Sequence, residues 1–202
     1  ISIDGAGDKY VSDTMRQQVV VFDKNDRYSR VFGIPGAWKP VDAVAYEDLL
    51  YVADIKNAEI HVLDKKTGNT VRRFGKKGET DEQLSLPTNL AFDRDGILYV
   101  SDSGRFQVVK YDRDGHYRGT VGKIGSNPGT FARPRGVATD RDKRLYVVDA
   151  SFDNIQMFDD QGHLLLWFGH FGQAGRLPGE LYLPAKVAVD YDNIDFFRGL
   201  AE

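Results

Sequence analysis

The residues of this sequence best suited to binding cations or backbone amides are aspartates, and the most regular of them end a recurring motif. The tetrapeptide Tyr-Val-x-Asp occurs four times, ending at Asp13, Asp54, Asp102 and Asp149. A carboxylate at the end of a strand can accept hydrogen bonds from the backbone amides of the following loop. A residue that recurs in every unit serves the unit, whereas a site residue breaks the pattern. We therefore expect these four aspartates to be structural.

The histidines do not share a pattern that indicates a metal site. His116 and His163 follow the same Asp-x-x-Gly turn, His61 lies in a predicted outer strand, and His170 lies in a loop predicted on the opposite side. The chain has no cysteine, so thiolate-bound zinc, iron–sulfur clusters and disulfides are excluded. These observations predict no metal and no cofactor.

Other motifs give no support to catalysis. The segments 93–96 and 140–142 resemble the start of a calcium-binding loop, but the downstream glutamate of an EF-hand is absent and hairpin turns account for them. The sequence has no Gly-x-Ser-x-Gly elbow, no P-loop and no Gly-x-Gly-x-x-Gly motif. We expect no catalytic residue.

An internal repeat positions these residues. A second aspartate lies ten residues after each Tyr-Val-x-Asp aspartate. A bulky residue followed by glycine lies nineteen or twenty residues after the same Tyr-Val-x-Asp aspartate. A proline then opens the next unit, at Pro40, Pro87, Pro134 and Pro184, with spacings of 47, 47 and 50 residues. Four units in register at several positions indicate a repeat architecture.

Each unit predicts four short strands joined by Asp- and Gly-rich turns. A meander of this size buries its faces only by packing against neighbouring units around an axis. The sequence therefore predicts an all-β fold, a β-propeller of four-stranded antiparallel blades. The predicted blades are 1–38, 39–85, 86–132 and 133–182, followed by a partial fifth blade at 183–202.

The units resemble the bacterial NHL-repeat propellers, whose repeat runs from a proline through "YVAD" and "FD" to "FG". The resemblance implies six blades when complete, so the chain is expected to be truncated at both ends; four blades that close by themselves are the alternative. One position departs from the family, which usually has Asn and a basic residue before the third strand. Here that position holds Gln18, Glu59, Gln107 and Asn154.

The loops that differ between units are predicted to share one rim and to bind another protein. Exposed aromatic and arginine side chains are typical of protein interfaces. The residues proposed for this rim are Arg16, Trp38, Lys56, Arg105, Phe106, Phe152, Asp153 and Phe171. In an alternative interpretation, Trp38, Phe131 and Tyr182 instead lean inward and fill the space between blades.

Residues just after the prolines are predicted to surround the mouth of the central channel. They are Asp42, Asn89, Arg135 and Lys186. Their mixed polarity suits a small polar ligand or a lyase-type enzyme, or it serves only to hydrate the channel. Single-stranded RNA on the basic rim is a further alternative, but the net charge of −3 and the acidic segment 79–82 make nucleic acid unlikely.

The sequence contains no transmembrane segment, since its longest apolar run near the C-terminus, Leu164–Phe168, is far shorter than a membrane span of about 20 residues. The family resemblance implies an extracytoplasmic location, whether periplasmic, envelope-anchored or secreted, with the cytoplasm as the alternative. It also implies that the protein partner is an extracytoplasmic redox or envelope protein.

Overall fold

The computed structural model describes residues 1–33, 35–169 and 180–190, and the regular elements within these ranges are all β-strands, joined by turns and loops. Sixteen strands form four sheets of four antiparallel strands each. The predicted all-β propeller architecture is confirmed. None of the described residues belongs to a helix of the length and apolarity needed to span a membrane.

Each sheet is one blade, and its strands follow one another in chain order. Blade 1 contains β1 (Ser2–Ile3), β2 (Lys9–Asp13), β3 (Gln18–Phe22) and β4 (Tyr28–Phe32). Blade 2 contains β5 (Pro40–Tyr46), β6 (Leu49–Asp54), β7 (Glu59–Asp64) and β8 (Thr70–Phe74). Blade 3 contains β9 (Pro87–Phe92), β10 (Ile97–Asp102), β11 (Gln107–Asp112) and β12 (Tyr117–Val121). Blade 4 contains β13 (Pro134–Thr139), β14 (Leu145–Asp149), β15 (Asn154–Phe158) and β16 (Leu164–Gly169).

The hydrophobic core lies between consecutive blades. The inner strand β9 contacts both β5 and β13, and β5 also contacts β2. One buried apolar cluster joins blades 1 and 2, a second joins blades 2 and 3, and a third joins blades 3 and 4. Strands β6 and β10 are buried along almost their whole length, because successive side chains point to opposite faces and blades 2 and 3 each have a neighbour on both sides.

Hairpin glycines allow consecutive blades to approach closely. Gly115 has φ of +93°, and a Cβ atom there would lie 2.5 Å from Cδ1 of Phe74 in the preceding blade. Gly68 faces Phe32 in the same way, at 2.7 Å. The bulky residue near the end of one blade therefore packs on the hairpin turn of the next, which requires glycine there for both conformation and space.

The segment 180–190 contains no strand, but it lies beside blade 4. The amide of Gly136 in β13 donates a hydrogen bond to the carbonyl of Ala185, with an N–O distance of 3.1 Å. A Cβ atom at Gly136 would lie 2.5 Å from the Cα of Lys186. The described part of the predicted fifth blade thus contacts the inner strand of blade 4.

Candidate functional site

The two sets of variable loops meet at one rim of the propeller, which we call the loop rim. It consists of the loops after the second strands, such as 103–106, and the segments between blades, such as 75–86. Asp102 connects the two sets in blade 3: its Oδ2 accepts the Ser85 amide at 2.7 Å, and its Oδ1 accepts the Leu86 and Gly104 amides at 2.8 and 3.0 Å. Its carboxylate therefore holds both loops in place.

Blade 4 repeats this arrangement. Asp149 Oδ2 accepts the Ala132 amide at 2.7 Å, and Oδ1 accepts the Arg133 and Ser151 amides at 3.1 and 2.9 Å. Because the carboxylate is fully buried, these amides replace the water that it loses.

Only some of the residues predicted for the loop rim are accessible. Arg16 and Lys56 are exposed, the Arg16 side chain by 79%. Arg105 is half-buried and donates hydrogen bonds to the carbonyls of Gly78 and Thr80, at 3.2 and 2.6 Å. Arg105 therefore holds the segment between blades 2 and 3. Phe106 and Phe152 are half-buried as well.

Trp38 and Asp153 are buried, which corrects their predicted place on an exposed rim. Trp38 is only 3% exposed; its ring lies against Gly33, and Nε1 donates a hydrogen bond to the Gln17 carbonyl at 2.8 Å. Asp153 accepts the Leu183 amide at 2.6 Å. Both side chains hold the loops together from within.

The inward position before each proline is taken by one apolar side chain. Phe131 is fully buried against Gly122, as Trp38 is against Gly33. Tyr182 instead is 69% exposed, while Leu181 lies near Gly169. Phe171, also predicted for the rim, lies outside the described residues.

The opposite rim, which carries the hairpin turns and which we call the hairpin rim, is covered by ion pairs. Several of them join consecutive blades: Lys65 with Asp4 at 2.6 Å, Arg113 with Glu47 at 3.5 Å, and Lys143 with Asp95 at 3.2 Å. Ion pairs on this rim therefore link the blades to one another, although Lys24, Arg27, Asp48 and Lys66 are exposed and form none with described residues.

The loop rim has a different chemical character. Exposed apolar side chains in its loops are Met15, Leu86, Ile124, Tyr182 and Leu183. Its exposed basic residues Lys39, Lys56, Lys123 and Arg133 form no ion pair within the part of the chain that the structure describes. Glu79, Asp81 and Glu82 in the same rim are also exposed and form no ion pair with described residues. Exposed apolar area beside unpaired charges of both signs therefore characterises the loop rim.

At the channel mouth, three of the four predicted residues come together around Asp42. Its Oδ2 accepts hydrogen bonds from Asn89 Nδ2 at 3.2 Å and from the Leu90 amide at 3.1 Å, and its Oδ1 pairs with Lys186 Nζ at 3.2 Å. The Arg135 guanidinium forms no hydrogen bond or ion pair with any described residue. Asp42 is buried and fully engaged, so its carboxylate serves to join inner strands.

Blade 2 contains a cluster that the sequence analysis missed. His61 Nε2 lies 3.0 Å from Asp54 Oδ2 and 3.1 Å from Glu59 Oε1, and the ring of Trp38 contacts the imidazole edge-on at 5.1 Å between centroids. Burial raises the pKa of Asp54, but hydrogen bonds from His61, the Lys39 amide, Asn57 and the Lys56 amide outweigh it and lower that pKa to about 2.

Comparison of the four repeats indicates this cluster, because blade 2 differs from the other blades at two positions. The position of His61 is occupied by Val20, Val109 and Gln156 in the other blades, and the position of Glu59 by amide side chains. Comparing the histidines only with one another concealed their relation to nearby carboxylates.

Comparison with known proteins supports the fold. No protein-family model matches the sequence. A protein of unknown function from Bacteroides thetaiotaomicron is similar with a TM-score of 0.71 at 20% identity, over 88% of this chain and 50% of its own. A catalytically inactive virginiamycin B lyase from Staphylococcus aureus, solved with quinupristin, is similar with a TM-score of 0.68 at 13% identity, over 92% of this chain and 57% of its own.

A chain of a nidogen/laminin complex is similar with a TM-score of 0.62 at 17% identity, over 79% of this chain and 61% of its own. The chain thus spans between half and about three fifths of the length of these structures. They include a lyase and a component of a protein complex, so their common property is the β-propeller fold.

Proposed function

We propose that this chain is a non-catalytic β-propeller scaffold that binds another protein through its loop rim. The observation that supports this most directly is the difference between the two rims. Ion pairs link consecutive blades on the hairpin rim, whereas the loop rim exposes Met15, Ile124 and Tyr182 beside charged side chains that have no ion pair among the described residues. Apolar anchors with peripheral charges are the composition of a protein-binding surface.

The construction of the loops also suits binding. Asp102 and Asp149 fix the loop backbones through buried hydrogen bonds, so the exposed side chains project from a rigid base. A rigid loop loses little conformational entropy when it is bound. Rigid loops that differ from blade to blade are the means by which a constant fold acquires a specific partner.

The proposal is tested by site-specific photo-crosslinking in the source cells. A crosslinker at position 15, in the loop rim, should capture one protein that a crosslinker at position 94, in the hairpin rim, does not capture. Recovery of the same proteins from both positions would contradict the proposal.

Binding of the purified partner is then measured by calorimetry. Met15→Asp and Lys56→Glu should each raise Kd about tenfold or more, because each change places a negative charge on the proposed surface. Arg94→Ala is the matched control: its side chain is exposed on the hairpin rim, and among the described residues it forms an ion pair only with neighbouring Asp95. It should leave Kd within about twofold.

We also propose that the repeat is of the NHL type, on the basis of the Tyr-Val-x-Asp motif, the Phe-Gly ending and the proline that opens each unit. This assignment supports an extracytoplasmic location and a partner among redox or envelope proteins of that compartment. Fractionation of source cells with an antibody against the chain tests the location, and recovery in the cytoplasmic fraction would contradict it.

A further inference from the structure

Two residues of strand β7 in blade 2 differ from the residues at the same positions in the other blades, and both lie beside the repeat aspartate of that blade. Glu59 stands where blades 1 and 3 have glutamine, and His61 stands where both have valine. In the β6–β7 hairpin, Asp54 pairs directly with Glu59, and His61 lies two residues further along the same strand. Side chains two apart on a strand share a face, so the register brings the three together.

The repeat aspartate of blade 2 differs from those of blades 3 and 4 in the partners of one of its oxygens. In blades 3 and 4 the Oδ2 atoms of Asp102 and Asp149 accept the Ser85 and Ala132 backbone amides. The Oδ1 of Asp54 does accept the Lys39 and Lys56 amides, at 2.8 and 2.9 Å.

The partners of Asp54 Oδ2, by contrast, are side chains. They are Asn57 Nδ2 at 2.5 Å and His61 Nε2 at 3.0 Å. Oδ1 of Asp54 thus binds backbone amides, while Oδ2 faces two side chains, those of Asn57 and His61.

The charges at this point are unbalanced. A single imidazole nitrogen, His61 Nε2, faces two carboxylate oxygens, which share at most one N–H proton. Arg73 lies 3.6 Å from Glu59 Oε1, but its side chain is 57% exposed and compensates only from the edge. A divalent cation between the three ligand atoms would neutralise both carboxylates.

The spacing of the three atoms fits such a cation. All lie within 4.8 Å of one another. With metal–ligand distances of about 2.1 Å, tetrahedral geometry needs ligand separations of about 3.4 Å, close to the observed 3.0 and 3.1 Å. Small side-chain movements would therefore bring the three ligand atoms to the separations that a bound ion requires.

A cleft beside the cluster supplies room for a further ligand. It is lined by His61, Trp38, Leu63, Thr70 and Arg73, with a volume of about 200 Å³. Of the three cluster residues, His61 lines this cleft. Zinc sites with three protein ligands commonly keep a fourth position for water or another ligand.

We propose that Asp54, Glu59 and His61 bind one zinc ion, with a fourth position for water. His61 binds through Nε2 in the tautomer that carries its proton on Nδ1. The bound ion joins the loop after β6 to strand β7.

The test is calorimetric titration of the full chain, freed of metal by a chelator and dialysis, with zinc sulfate at pH 7.5. We expect one zinc ion per chain. His61→Val and Glu59→Gln introduce the residues of the equivalent positions in blade 3, so they suit the strand. Each should weaken zinc binding at least about tenfold.

His116→Ala is the control. His116 forms a similar pair with Asp112 at 3.0 Å, but it is exposed and no second carboxylate among the described residues pairs with it. Its loss should leave zinc binding unchanged. Absence of zinc binding in the unaltered chain, or equal binding in the His61→Val variant, would overturn the proposal.

Fluorescence gives a second, local readout. In a Trp167→Phe background Trp38 is the remaining tryptophan, and its ring lies 5.1 Å from that of His61. Zinc should change its emission with the stoichiometry found by calorimetry, whereas calcium, which prefers oxygen ligands, should not. An emission unaffected by zinc would count against binding at this site.

Discussion

Replacing Asp102 with alanine should destabilise this protein far more than replacing Asp13 with alanine, although both residues end a Tyr-Val-x-Asp motif. Asp102 is fully buried, and its carboxylate accepts four backbone amides. Asp13 is partly exposed and accepts one backbone amide within the described chain, from Arg16 at 2.9 Å. Comparing the two alanine variants therefore distinguishes the contribution of the repeat motif to stability from the contribution of the hydrogen bonds that its aspartate accepts.

The expected magnitudes follow from these bonds. A hydrogen bond to a charged acceptor contributes about 1.5–3 kcal/mol, and a buried donor that loses its acceptor costs about as much. Some of the four amides at Asp102 will regain water when the loops open, so we expect a loss of about 3–5 kcal/mol in the free energy of unfolding. At Asp13 the single, more exposed bond predicts a loss of about 1 kcal/mol.

Urea unfolding monitored by circular dichroism measures this difference. With a slope of about 2 kcal/mol per molar urea, the midpoint of Asp102→Ala should fall about 1–2 M below that of Asp13→Ala. Asp102→Asn should lie between them, because it keeps Oδ1 but sets its NH₂ group against the Ser85 amide. Equal midpoints for the two alanine variants would refute the reasoning, since the motif rather than its bonds would then decide stability.

Two further predictions concern other parts of the fold. Trp38→Ala should lower the free energy of unfolding by about 3–5 kcal/mol in the same assay, because the ring fills the space between blades. Trp167→Ala should lower it by less than about 1 kcal/mol, because Trp167 is 46% exposed. Similar losses for the two variants would contradict the inward role of Trp38. Burial raises the pKa of Asp112, but hydrogen bonds from the amide and ring of His116 and from Arg118 outweigh it, so that the pKa falls well below its usual 3.8. The ionised carboxylate therefore contributes stability that is fully present above about pH 4 and is lost as the pH falls towards the folded-state pKa. Asp112→Asn should flatten the decline of the unfolding midpoint below pH 4, and an unchanged decline would exclude this contribution.

The blade architecture was predictable because the repeat is encoded by local chemistry. The prolines open β5, β9 and β13 at the positions given by the sequence, and the second strands of blades 2 to 4 end at Asp54, Asp102 and Asp149. Turn glycines and alternating apolar residues act over a few positions, and four copies reinforce the same pattern.

Contacts between elements were harder to predict. Several apolar residues precede each proline, and which one turns inward depends on the space left by a glycine of the preceding blade. Thus Trp38 is buried, while Tyr182 is exposed and Leu181 lies near Gly169. The cluster at His61 could have been predicted from the sequence, because the register of the β6–β7 hairpin follows from its loop length.

The aspartates that hold the loop rim also show which loops form a unit for protein engineering. Asp102 binds amides at 85–86 and 104–105, and Asp149 binds amides at 132–133 and 151–152, so each carboxylate connects the loop of its own blade to the segment that leads in from the preceding blade. The exposed side chains of such a loop pair can therefore be exchanged while the carboxylate keeps both backbones anchored. Randomised libraries built blade by blade, with the aspartates kept, would turn this chain into a display framework for selecting new binding specificities.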